Sequence, residues 1–101
     1  MAMSSEGKPV NVTVKSFATL REIMDTQIQL DMPEGATVRM LLAGLTGRYP
    51  GLEEMIFSSP GTLRDFVNIL CNGRNIAFLK GLDTPLATGD LVALFPPAAG
   101  G

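Results

Sequence analysis

The residues with the clearest chemical character are the last ones. After Leu91 to Phe95 the sequence reads Pro96-Pro97-Ala98-Ala99-Gly100-Gly101. Two prolines cannot continue a sheet ladder, and they favour an extended polyproline conformation. From Pro96 onward the arm reaches ~19 Å at ~3.1 Å per residue. Beyond the prolines no side chain is larger than a methyl group, so this arm suits a channel too narrow for ordinary side chains. Its reactive group is the α-carboxylate of Gly101. A Gly-Gly ending alone is a weak signal, since most chain ends fray. What singles this one out is its position directly after a strand and a Pro-Pro spacer.

The rest of the composition offers little competing chemistry. The chain has 101 residues, with no histidine and one cysteine. Without histidine there is no Ser-His or Cys-His arrangement, and the commonest metal ligand is missing. A single cysteine makes neither an internal disulfide nor a multi-thiolate metal site. Cys71 lies in an apolar run with nothing beside it to activate the thiol, so it is expected to be a buried packing residue. Glu53-Glu54 reads as a solvated pair on a short helix. Arg74 and Asn75 read as turn residues with a possible partner contact. The net charge is −2, with no basic run, which argues against a nucleic-acid surface. No metal and no bound cofactor are expected, and a self-contained enzyme is improbable.

The elements that would position the arm are read from patterning. Val10, Val12 and Val14 alternate with polar residues, the period of a half-buried strand. Leu20, Ile23 and Met24 suggest a short helical turn after Phe17. Ile28, Leu30 and Met32 mark a second strand, and Pro33-Glu34-Gly35 a turn. Thr37 is placed to cap a helix whose buried face is Val38, Leu41, Leu42, Leu45 and Tyr49. Gly44 and Gly47 each cost that helix roughly 1 kcal/mol relative to alanine, so packing must hold it. Pro50 ends it. Leu52, Met55 and Ile56 suggest another helical turn, and Ser58 to Gly61 a surface loop. Phe66 to Cys71 reads as a central strand buried on both faces. Asn72-Gly73 is a tight-turn signal, and Ile76 to Leu79 is expected to pair back as a short strand. Gly81 to Gly89 is irregular, and Leu91 to Phe95 forms the last strand.

This order predicts an α+β domain with a mixed sheet and one main helix across one face. The strand after the helix is expected to pair parallel through a right-handed crossover. Such an order is that of the ubiquitin-like β-grasp; a ferredoxin-like arrangement is the rival, but it wants a second full-length helix. Residues 1–9 are expected to form a disordered leader, 10–95 the β-grasp domain and 96–101 a flexible tail. No stretch approaches the ~18–20 apolar residues of a membrane span. The first residues lack the apolar core of a secretory signal, so a soluble cytoplasmic protein is the expectation.

The ending Phe95-Pro96-Pro97, two small residues and Gly100-Gly101 resembles that of the MoaD/ThiS sulfur carriers, most of all the molybdopterin synthase small subunits. Phe17-Ala18-Thr19-Leu20-Arg21-Glu22, Tyr49-Pro50-Gly51-Leu52, Asn72-Gly73-Arg74-Asn75-Ile76 and Gly89-Asp90-Leu91-Val92-Ala93 are also similar to that family. The resemblance runs from Val10 to Gly101, and the Asn-Gly-Arg-Asn-Ile stretch with the insert before it resembles the longer, archaeal-type members. Ala98 stands where the family often has valine, and Cys71 where an aliphatic residue is usual.

The resemblance implies a carrier that is worked on by other proteins. A ubiquitin-activating-type adenylating enzyme would join the Gly101 carboxylate to AMP from ATP, and a sulfurtransferase would convert the acyl adenylate to a thiocarboxylate. Phe95, just before the tail, would dock on partner enzymes, with core packing as its rival role. The tail, with Pro96, Pro97, Ala98, Ala99 and Gly100 as partner-binding residues, would insert into a molybdopterin synthase large subunit, and the sulfur would pass to a pyranopterin precursor. The catalytic groups would then belong to the partners. The alternatives are a carrier serving thiamin, cysteine or thiolated RNA, a ubiquitin-like modifier joined to lysines through Gly101, and a plain interaction module.

Overall fold

The structure, a computed structural model, describes residues 8–97. The expected leader falls mostly outside them, as do Ala98, Ala99, Gly100 and Gly101.

Strand β1 spans Val10–Ser16 and buries Val12, Val14 and Ser16 on one face. A 3-10 turn over Ala18–Glu22 comes next, plugging Leu20 into the core. Strand β2, Gln27–Met32, runs antiparallel to β1 with Val14 opposite Ile28. Helix α1, Val38–Arg48, starts at Thr37, whose hydroxyl accepts from the Met40 backbone N–H. It buries Val38, Leu41, Leu42 and Leu45 completely, as the 3.6-residue period requires. Tyr49 ends it in an extended conformation (φ −118°, ψ 102°), the region forced on a residue before proline.

A short helix α2, Leu52–Ile56, leads into a small hairpin of β3, Phe57–Ser59, and β4, Thr62–Leu63. The expected loop Ser58 to Gly61 is therefore partly strand, with Pro60-Gly61 as its turn. Strand β5 is shorter than its apolar run, Asn68–Cys71, and faces the core only through Ile69 and Cys71. Phe66 is 70% exposed, so the expected strand buried on both faces does not form. Asn72-Gly73 turns with both φ positive (53° and 85°), as tight hairpins demand. The strand that pairs back is β6, Arg74–Asn75, while Ile76–Phe78 is a 3-10 turn. The Asn75 carboxamide explains the switch: its oxygen accepts from the Ala77 N–H and so caps that turn.

A further 3-10 turn, Gly81–Asp83, precedes the last strand β7, Leu91–Phe95. The main sheet has the order β2-β1-β7-β5-β6, which makes β7 its centre. The parallel pair is β1 with β7, Val14 opposite Val92. The strand after the helix, β5, lies antiparallel to β7, with Ile69 opposite Leu94. The expected parallel crossover therefore joins different strands: an early partner and the last one. Helix α1 and the inner faces of β1, β5 and β7 enclose the core cluster. This is a ubiquitin-like β-grasp with a mixed sheet and one main helix.

Candidate functional site

Because β7 is central, its two ends are set by different neighbours. At its start, Asp90 and Asn72 interlock. One Asp90 carboxylate oxygen accepts from the Asn72 side-chain amide at 2.9 Å, and the other accepts from the Ala87 N–H at 2.8 Å. The Asn72 oxygen accepts from the Leu91 N–H at 2.9 Å. Gly89, in the left-handed region, donates its N–H to the Asn11 carbonyl at 2.9 Å. The starting register of the last strand is thereby fixed from three directions.

Cys71 sits beside this network, 6% exposed, with its sulfur 3.9 Å from Asp90 Oδ2. Burial pushes its thiol pKa up, and the Asp90 charge and hydrogen bond push it further the same way. A thiol held in its neutral form is a poor nucleophile. Cys71 is thus a packing residue, as its apolar surroundings implied. A concavity of about 600 Å³ lies here, with Arg74 and Lys80 on its wall. Among the described residues no cluster of His, Cys, Asp or Glu could hold a metal ion.

At the other end, Phe95 is half-buried and stacks on Phe17, with ring centroids 4.4 Å apart and planes 10° from parallel. The parallel pairing produces this contact: Ser16 lies opposite Leu94, so the next residue on each strand meets its counterpart. The Phe17 N–H donates to the Leu94 carbonyl at 3.2 Å, carrying the ladder one step further. Arg21 lies with its guanidinium carbon 5.1 Å from the Phe17 ring centroid, and its Nε donates to the Ser16 carbonyl at 2.9 Å. Cation and stack together fix the direction in which the chain leaves the sheet. Pro96 and Pro97 come next, both half-buried and outside the ladder.

Of the sequence-predicted site residues, the structure therefore positions Phe95, Pro96 and Pro97 at the root of the arm. Ala98, Ala99, Gly100 and Gly101 lie outside the described residues. Phe17 and Arg21 join the root although patterning did not single them out as site residues. Their signal is positional: they come just after the first strand, and they meet Phe95 only once that strand is known to lie parallel to the last. The outer sheet face next to the root carries the half-buried Leu70, Leu91 and Ala93, an apolar surface continuous with Phe95. Arg74 is exposed at the sheet edge, and Glu53 and Glu54 are exposed on α2.

Comparison with known proteins agrees with this geometry. The ThiS family model matches residues 14–101. The chain is 37% identical over 94 residues to the sulfur carrier protein CysO of Mycobacterium tuberculosis, covering 91% of this chain and 100% of that one. The solution structure of small archaeal modifier protein 1 from Methanosarcina acetivorans superposes with a TM-score of 0.80 at 36% identity, covering 94% of this chain and 100% of that one. The crystal structure of an Amycolatopsis orientalis BexX/CysO complex gives a TM-score of 0.73 at 26% identity, covering 89% of this chain and 99% of that one. Among the described residues no helix is long and apolar enough to cross a membrane. The matched span includes the strand end, the proline spacer and the final glycines, and the chain belongs to the ThiS family of ubiquitin-like sulfur carriers.

Proposed function

We propose that this protein is a sulfur carrier whose Gly101 carboxylate is the working group. An adenylating enzyme of the ubiquitin-activating type lets the carboxylate oxygen attack the α-phosphorus of ATP, and pyrophosphate leaves. The persulfide of a sulfurtransferase then attacks the acyl carbon and AMP leaves. A thiol cleaves the resulting acyl disulfide, releasing the thiocarboxylate and leaving a disulfide on the sulfurtransferase side. The chain itself contributes the reactive end and the surface that partners grip; they contribute the catalytic groups. The observation that carries this reading is the root of the arm. An aromatic stack with an arginine over it aims a Pro-Pro spacer off the central strand, toward residues without bulky side chains.

For the sulfur acceptor, the resemblance of the ending points to a pyranopterin precursor held by a molybdopterin synthase large subunit. The likeness to the sulfur carrier protein CysO supports equally a carrier that serves another acceptor, such as thiamin, cysteine or thiolated RNA. That CysO is seen in complex with BexX supports a role exercised through a protein partner. A second reading, attachment of Gly101 to lysine side chains, is favoured by the likeness to small archaeal modifier protein 1.

Intact mass of the protein taken from its native host separates these readings. A replacement of one oxygen by sulfur at the C-terminus is the result expected of a carrier. A series of larger conjugates, with no sulfur gained, would favour the modifier. Co-purification with the synthase large subunit, together with precursor conversion by the thiocarboxylated form, tests the acceptor. If both fail while another acceptor is served, the pyranopterin assignment is wrong.

A further inference from the structure

Phe66 is 70% exposed and adopts φ +71°. It occupies the third position of the turn Arg64 to Val67, closed by the Val67 N–H donating to the Arg64 carbonyl at 3.3 Å. Turns with positive φ at that position are normally filled by glycine, and a bulky residue there is an outlier. The exposed ring does little for the fold, and its backbone works against it. The turn is nonetheless pinned at both ends. The Arg64 N–H donates to the Ile56 carbonyl at 2.8 Å, its Nε donates to the Glu54 carbonyl at 2.7 Å, and Asn68 enters β5 opposite Phe95.

Phe66 lies two residues before Asn68 and Pro97 two residues after Phe95, so both sit at the same end of the β5–β7 pair. The two residues line one concavity of about 410 Å³, together with Ser58, Thr62, Leu63 and Asp65. Only Ala98 to Gly101 separate Pro97 from the carboxylate, and four residues reach at most ~14 Å. A protein that encloses the Gly101 carboxylate therefore comes within ~14 Å of Pro97, close enough to meet the exposed ring of Phe66 in the same concavity. The wall mixes the polar Ser58, Thr62, Arg64 and Asp65, whose charges cancel, with Leu63, Phe66 and Pro97, and the Phe66 ring is its most exposed large apolar group.

We infer that Phe66 is a docking residue for the adenylating enzyme, its ring packing on the apolar rim of the channel that takes the tail. The inference rests on the carrier reading and adds a contact outside the tail itself. An exposed aromatic held in an unfavourable conformation in the concavity of Pro97 fits a residue kept for a partner.

The test measures ATP-dependent pyrophosphate release by the host's ubiquitin-activating-type enzyme against carrier concentration, together with Tm. Phe66→Gly and Phe66→Ala are each expected to raise the KM for the carrier about tenfold with kcat within about twofold of wild type. Phe66→Gly is expected to melt at or above the wild-type temperature, because glycine accepts the positive φ freely. Phe78→Ala, which removes an aromatic that is 87% exposed but does not line the Pro97 concavity, is expected to keep the wild-type KM. A wild-type KM in Phe66→Gly overturns the inference and leaves the carrier reading standing. A lowered Tm in Phe66→Gly makes Phe66 a packing residue and overturns it as well. If wild-type protein is not adenylated at all, the carrier reading fails and the inference falls with it.

Discussion

The two ends of β7 are built on different principles. Its start is locked by directional hydrogen bonds among Asp90, Asn72, Ala87 and Leu91. At its end the ladder runs out with the Phe17 N–H donating to the Leu94 carbonyl, and ring stacking, one cation and two prolines that donate no hydrogen bond take over. Hydrogen bonds to a charged group specify register tightly and cost more when one partner is lost. Stacked rings set a direction while leaving apolar surface for a partner to cover. The entrance fixes where the strand lies, and the exit sets the course of Pro96 and Pro97; on the carrier reading, fold and chemistry are divided along this single strand.

Deleting Gly101 tests that division most severely. The carboxylate would move back by ~3.5 Å, and misplacements of ~1 Å already cost ~100-fold in rate. Sulfur transfer is expected to fall by more than ~100-fold, with Tm unchanged to within about 1 °C because an exposed terminal glycine buries little. A truncated protein that still transferred sulfur would show that the end is not the working group.

Asp90→Ala attacks the entrance instead. Loss of the bonds to the Asn72 amide and the Ala87 N–H is expected to cost about 2 kcal/mol. That corresponds to a fall in Tm of roughly 10 °C for a domain this size. The rate of adenylation per folded molecule should stay at the wild-type value. A selective loss of adenylation would mean that the two ends are coupled.

Phe95→Leu keeps apolar bulk but removes the stack on Phe17. Stability is expected to drop by about 1 kcal/mol, and affinity for the adenylating enzyme by about tenfold. Calorimetric unfolding and a binding titration read the two effects separately. An unchanged affinity would assign the stack to the fold alone.

Cys71 gives the smallest effect. Its thiol pKa is raised in the folded protein, by burial first and by Asp90 second. Below the ordinary thiol pKa of about 8.5 both states carry the proton and stability does not depend on it. As pH rises past that value the unfolded chain ionises first, so stability falls until the native thiol ionises too. The stability of wild type is expected to decline relative to Cys71→Val above about pH 8.5, read from denaturant midpoints. A difference that stays flat with pH would contradict the assigned environment.

Much of this architecture was legible in side-chain order. The alternation at Val10, Val12 and Val14, the helix face from Val38 to Leu45 and the stop at Pro50 all report local geometry, which periodicity encodes directly. Strand partnership was less legible. The pairing of β1 with β7 joins Val14 to Val92, and nothing local specifies a contact across so much chain. The stack of Phe17 on Phe95 was hidden for the same reason, since it exists only through that pairing. Phe66 misled in another way. Its apolar character extended the reading of a strand, whereas the backbone turns at that residue and leaves the ring outside. Asn75 misplaced an element by one step, because its carboxamide can cap a turn as readily as it can end a strand. The composition of the arm, by contrast, needed no fold to be read.

The central place of the last strand also has a consequence for how the molecule comes into being. Strand β1 is synthesised first but finds its parallel neighbour only when Leu91 to Phe95 have been made. Pairings between distant parts of a chain are slow to form, and contacts that close large loops come late. Until then β5 and β6 have no strand joining them to β1 and β2. A nascent chain cut short before β7 therefore cannot close its sheet and stays an unfinished substrate for quality control.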